Sequence, residues 1–185
     1  MIQLGIGAAV GFALGTAISS QSQKRSGKAA SAEPLASVAR PSFARFVALM
    51  ACSPTAFKSS SGKLGAFQFS PKRLQDLGLV AETSRTSSPS PIWVAVWRPP
   101  FSEDLFLASP KVQYAAFVKS CRKYLPIAMA HRSKNIDGRV STLSGILGVL
   151  HVAGESGFAS WFSDSKVRKR FTNTTSTFNN TNGVF

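Results

Sequence analysis

The chain has 185 residues, 22 of them Lys or Arg and 8 Asp or Glu, for a formal charge of +14, and 44% are hydrophobic. That length and apolar content suit one core-bearing domain with appendages and exclude a wholly disordered polyelectrolyte, while the charge directs the protein to anionic partners such as nucleic acid, acidic lipid or acidic cell-wall polymer. The two cysteines, Cys52 and Cys121, have no metal-ligand spacing, so no metal and no cofactor is expected, and the thiols are either buried singly or joined in a disulfide.

Met1 to Ser20 carries no charged side chain and is about as long as a membrane span. Gly7, Gly11 and Gly15 recur every four residues, a glycine-zipper face that another helix can approach closely. A secretory signal and a buried soluble helix are the alternatives. No basic residue precedes the apolar run and no small-x-small cleavage site follows it, so a retained membrane-spanning or membrane-inserting helix is predicted. Residues 21–41, with Lys24, Arg25 and Lys28 among Ser, Gly and Ala, read as a basic flexible linker, and the positive-inside tendency would leave the domain on the cytoplasmic side.

From Ser42 the apolar residues Phe43, Phe46, Val47, Leu49 and Met50 follow helical spacing, with Ser42 as a cap and Pro54 beyond the end. The next distinctive stretch, Gly62 to Gly78, is a loop that becomes a helix. Gly62 and Gly65 permit positive φ, Phe67 and Phe69 are apolar anchors around the lone amide of Gln68, and Ser70-Pro71 supplies an N-cap and a first-turn proline before Leu74, Leu77 and the closing Gly78. An amide held between apolar rings needs a partner, in the protein or in a ligand.

Glu82 to Pro91 is rich in Ser, Thr and Pro and reads as an exposed loop. Ile92 to Trp97 fits either a short strand or a helical turn that would stack Trp93 on Trp97; flat indoles bind sugar rings, but they more often fill cores or interfaces. Glu103 and Asp104, after Ser102, read as first-turn acids of a helix. Val112 to Leu125 forms an amphipathic helix that Pro126 interrupts. Its basic wet face, with Tyr114 and Tyr124, has the composition of single-stranded nucleic-acid binders, though a solvated face is the plainer reading. Ser141 or Thr142 caps a helix apolar nearly all round, Leu143 to Val152, which is the predicted central helix. Gly145 and Gly148 on it imply close packing by another helix or by the Gly62–Gly78 loop, and His151 suits a hydrogen-bonded core histidine.

Gly65-Ala66-Phe67-Gln68-Phe69 resembles the Gly-x-(Tyr/Phe)-Gln element of lysozyme-like lytic transglycosylases, and Gly62 to Gly78 is similar to phage-associated members of that family. Leu143 to Phe162, with its helix, His151 and Gly-rich turn, resembles the stretch that closes the same phage-type domain. The two cover about a quarter of the chain. The resemblance implies a mainly α, lysozyme-like helical domain that binds and cleaves peptidoglycan, with Gly65, Phe67, Gln68, Trp93 and His151 around a glycan groove and the two stretches as neighbours in space. It also places a catalytic Glu near the end of the first helix, yet Met50 to Lys58 contains no carboxylate, and neither Cys52 nor Ser53 can protonate a glycosidic oxygen at neutral pH. Among the eight acids only Glu155, in Gly154-Glu155-Ser156-Gly157-Phe158, has an enzyme-like setting; the alternative is a turn carboxylate facing His151 or the basic tail.

Lys166, Arg168, Lys169 and Arg170 form the densest basic run, predicted to hold an anionic surface and release it in salt. Residues 171–185 read as a polar Asn/Thr-rich tail with Phe171, Phe178 and Phe185 seven apart, disordered alone and docked on a neighbour through those rings. The expected layout is therefore a membrane helix at 1–20, a linker at 21–41, a lysozyme-like domain at 42–170 and a tail at 171–185. The expected protein is a virion or membrane-associated oligomer meeting membrane, peptidoglycan and other virion subunits. The alternative is an inactive structural virion protein whose basic surface touches genome or lipid.

Overall fold

The computed structural model describes residues 40–87 and 93–185, and these form a mainly helical fold. Met1–Ser20, with Gly7, Gly11 and Gly15, lies outside the described residues, as does nearly all of the 21–41 segment. Among the described residues no helix is long and apolar enough to cross a membrane.

Helix α1 (Arg40–Met50) starts three residues earlier than a Ser42 cap would allow, because Pro41 suits a first helical turn where its missing N–H costs nothing. It buries Phe46 and Met50. The Gln-bearing loop leads into α2 (Pro71–Asp76), with Ser70 Oγ accepting the Arg73 N–H and Gly78 at φ +76° after its end. The start of the Ser/Thr/Pro stretch is not loop but strand: β1 (Val80–Arg85) pairs antiparallel with β2 (Trp93–Trp97), with a bulge between Val80 and Glu82. Ala95 and Trp97 pack on the core while Val94 and Val96 face out, the alternation expected of a half-buried strand.

Helix α3 (Glu103–Ala108) is capped by Ser102, and its Glu103 meets Lys58 at 2.6 Å. Helix α4 (Pro110–His131) runs straight through Pro126 instead of ending there. Pro126 is exposed, so the hydrogen bond its ring removes is lost on the wet side, while Phe117, Cys121, Tyr124, Leu125 and Ala128 hold the buried side. The thiols do not pair: Cys121 is buried, with its pKa pushed up to about 12 by burial, whereas Cys52 is exposed, contrary to the reading of two buried thiols. A two-residue hairpin, β3 (Asn135–Ile136) and β4 (Arg139–Val140), turns at Asp137 and Gly138, both at positive φ.

Helix α5 (Leu143–Ser163) is the axis of the fold, packed by α4, by α6 (Ser165–Arg170) and above all by α7 (Thr172–Thr181). The expected tail is thus a core helix. Phe178 is 2% exposed, and Phe185 packs edge-on against Phe46 at 5.3 Å, so these rings dock within their own chain rather than on a neighbour. Asn and Thr are poor helix formers, and α7 is held instead by tertiary contacts. Thr142, the N-cap of α5, donates its N–H to Asn182 Oδ1 (2.7 Å) and accepts the Gly183 N–H (2.8 Å), while Ser144 Oγ donates to Thr181 O (2.6 Å).

The close approach rests on Gly145 and Gly148, and its partner is α7 rather than the Gln-bearing loop. A Cβ on Gly145 would lie 2.5 Å from Asn182 Oδ1, and one on Gly148 would lie 2.6 Å from Thr181 Oγ1, which is itself tied to Thr177 O. Gly148→Ala is therefore expected to overpack the α5–α7 contact and cost about 1–3 kcal/mol, read as a lowered urea midpoint with an unchanged m-value; an unchanged midpoint would mean that α7 moves away freely.

Candidate functional site

The loop that carries Gln68 is held from both sides. On one side Gln113, 1% exposed on α4, spends its whole carboxamide on it and its surroundings: Oε1 accepts the Ala66 N–H (2.8 Å), and Nε2 donates to Thr55 O (2.9 Å) and Phe106 O (2.8 Å). Gly65, at φ +72°, is needed here because a Cβ would fall on that carboxamide. Its role is to let α4 approach, and it does not line the groove assigned to it from sequence.

On the other side, His151 Nε2–H donates to Phe67 O at 2.8 Å. The imidazole stands edge-on to Phe69 and Phe117 with centroids 5.3 and 5.1 Å away, and Phe67 stacks on Phe117 at 4.3 Å. Phe67 is 6% exposed, so it is an anchor beneath the site and not a platform for a sugar ring. Burial, reinforced by Arg73 and Lys63, depresses the His151 pKa to about 4 against the opposing bond to Phe67 O, so the ring is neutral at pH 7 and its buried Nδ1 has no partner among the described residues. Between the two anchors Gln68 is forced to φ +51°. Its Nε2 donates to Gly65 O (2.9 Å), which leaves the carbonyl end for the solvent side.

Gln68 opens onto a cleft of about 870 Å³, in the upper range of ligand pockets, roughly 300–1,000 Å³. One wall is the loop with Lys72, Arg73 and Asp76 of α2; the floor is Tyr124 and His151; the far wall is the α5 turn and the polar face of α7, with Asn173, Ser176, Thr177 and Asn180. Leu49, Met50 and Cys52 close one end. Gly154 breaks α5 at φ +73° and ψ 178°, which separates segments 143–153 and 155–163 and sets Glu155 at the start of the second, in the cleft. Glu155 lines the same cleft as His151, and its field falls on Arg73 and Tyr124. It is exposed, and among the described residues no cation lies within 4 Å of it.

Gln68, Phe67, His151 and Glu155 are thus brought together, and Gly65 is not. Trp93 contributes its backbone to β2, its side chain lies outside the described residues, and no described residue of β2 lines the cleft. Trp97 instead packs on Phe106 at 5.5 Å. Arg168 leaves the basic run: it grips Asp137 with Nε and Nη2 at 2.7 and 2.8 Å and caps Trp161 O and Phe162 O, so only Lys166, Lys169 and Arg170 remain exposed there. Sequence reasoning missed Arg73, Tyr124 and the α7 wall. Asn173, Thr177 and Asn180 at i, i+4 and i+7 were a signal for one helical face, masked by a composition that argues against a helix.

Because the folded His151 is harder to protonate than the unfolded one, the unfolded chain alone takes up a proton as pH falls from about 6.5 towards about 4. Stability from this group is complete above that window and lost within it, by roughly 3 kcal/mol. His151→Gln, whose amide can still reach Phe67 O, should flatten the pH 4–7 dependence of the urea midpoint; an unchanged slope would place the protonation elsewhere. No family model, no curated protein and no solved structure matches this chain, and the site is read from its own geometry.

Proposed function

We propose that this chain is a membrane-anchored, virion-associated protein whose lysozyme-like helical domain engages peptidoglycan glycan in the cleft beside Gln68. The observation that carries this reading is the contact between the two stretches that resemble the phage-type family: His151, from the second, holds the carbonyl of Phe67, from the first, and Gln68 faces the cleft as a result. A neutral polysaccharide backbone is recognised by amides and hydroxyls, and the opposite wall supplies Asn173, Ser176, Thr177 and Asn180. The membrane anchor is the uncharged 1–20 segment with its glycine zipper.

The domain binds rather than cleaves. General acid catalysis at a glycosidic oxygen requires a protonated carboxyl beside it, normally opposed by a second carboxylate. The stretch that should supply the acid, 50–58, reaches the cleft through Met50 and the exposed Cys52 and has no carboxylate. Of the two acids that line the cleft, Glu155 is open to solvent and Asp76 sits between Lys72 at 3.7 Å and Lys123 at 4.0 Å. A structural role on genome or lipid is the second reading, supported by the exposed Lys166, Lys169 and Arg170 of α6.

Full-length chain in mild detergent, sedimented with purified peptidoglycan, is expected to pellet at low and at high salt and to release no muropeptide. Gln68→Ala should weaken the salt-resistant fraction by about fivefold, the worth of one hydrogen bond near 1 kcal/mol. Pelleting that vanishes in high salt would favour the second reading. Muropeptide release that disappears in Glu155→Gln would make Glu155 the acid and the protein an enzyme.

A further inference from the structure

Arg73 is a charge taken out of water with no carboxylate paired to it among the described residues. Its residue is 9% exposed, and its guanidinium lies 4.5 Å over the Tyr124 ring. Its hydrogen bonds among the described residues are long and to neutral groups: Nη1 donates to Ser120 Oγ at 3.4 Å and Nη2 to Leu150 O at 3.3 Å. Buried charges are normally paired, since desolvation costs several kcal/mol. Here the two nearby acids do not pair with it. Asp76 is shared by Lys72 and Lys123, and Glu155 acts on the guanidinium only through its field.

A guanidinium offers five N–H donors in a planar fork that matches the two oxygens of a carboxylate or phosphate. Two are spent on Ser120 and Leu150, and Arg73 lines the cleft. Lys63, Lys72 and Lys123 line it too, so four cations face two carboxylates around the same space. The position is built: Gly154, at φ +73°, brings the α5 backbone close enough that a Cβ there would lie 3.3 Å from Nη2. The Tyr124 ring beneath the guanidinium holds it in place by a cation–π contact.

We propose that the corner of the cleft formed by Arg73, Lys72 and Lys123 is an oxyanion subsite that takes a carboxylate of the bound ligand. The source of that carboxylate rests on the peptidoglycan reading: the amides of Gln68 and α7 take the sugar chain, and the Arg73 corner takes an acidic group of the peptide attached to it. The domain then distinguishes peptide-bearing glycan from bare glycan. Asp76 tempers the subsite by occupying the two lysines while it is empty.

The test uses the full-length chain in mild detergent, labelled at arginine, and follows the Arg73 Nε–H resonance, assigned by its loss in Arg73→Lys. Four probes are titrated: a disaccharide muropeptide with free carboxylates, the same muropeptide with its carboxylates amidated, chitotetraose and inorganic phosphate. The free muropeptide is expected to shift the Arg73 signal and to bind about tenfold tighter than the amidated form, the usual worth of a charge-assisted bond. Asp76→Asn, an exposed substitution outside the core, should tighten the free muropeptide by about threefold, and Lys123→Gln should weaken it. Equal binding of free and amidated muropeptide would overturn the subsite and leave the glycan cleft standing. A shift with phosphate but no binding of either glycan would support the subsite and overturn the peptidoglycan reading. A silent Arg73 signal with all four probes would overturn the subsite outright.

Discussion

The cleft depends on one hydrogen bond inside an aromatic shell, from His151 Nε2 to the carbonyl of Phe67. Phenylalanine rings flank the imidazole, and because a carbonyl can only accept, the ring is held in the tautomer with its proton on Nε2. The cost is visible in the same ring, whose buried Nδ1 finds no donor among the described residues. What the fold obtains is position. With Phe67 and Phe69 both buried and the intervening carbonyl clamped, Gln68 takes the left-handed conformation and lines the cleft. Gln113 does the corresponding work on the preceding residues, so the loop is fixed by two side chains from two different helices.

The break in α5 is the second element of the same design. A continuous helix would carry Glu155 on along its own spiral; Gly154 at φ +73° resets the direction and begins a new segment beside the cleft. Carbonyls at the end of a helical segment lack intrahelical partners, and Arg73 reaches across from α2 to Leu150 O at that end, where a cation also complements the segment's dipole. The buried arginine and the glycine kink therefore belong together. Removing either would alter the other, as well as the face that the cleft presents.

The fold was legible wherever local chemistry decided it. Ser70-Pro71, Ser102 and Thr142 all cap the helices that their side chains advertise, and Gly62, Gly65 and Gly78 all take the positive φ that a turn requires. Legibility failed where tertiary packing overruled composition. The Thr83-Ser84 region forms a strand because β2 is there to pair with it, and residues 172–181 form a helix because α5 offers two glycines to lie against. Within the site, the Phe-Gln loop and His151 were readable because apolar anchors around a lone amide are conspicuous. Arg73 was not, since one arginine in a basic chain looks solvated until its burial is known. The basic run misled in the opposite sense: Arg168 appears identical to its neighbours in sequence, and only the hairpin carrying Asp137 sets it apart.

The polar wall of the cleft is made by α7, and the residues after it reach back to the first described helix, where Phe185 packs on Phe43 and Phe46. The cleft is thus closed by segments that are widely separated in synthesis. A nascent chain can form α4 and the Gln-bearing loop while still attached to the ribosome, but the wall facing Gln68 is absent until residues 173–181 have emerged, and non-local pairings of this kind are slow to form. The emerging chain therefore carries an incomplete cleft through most of its synthesis, and the wall facing Gln68 closes only once α7 can lie against α5.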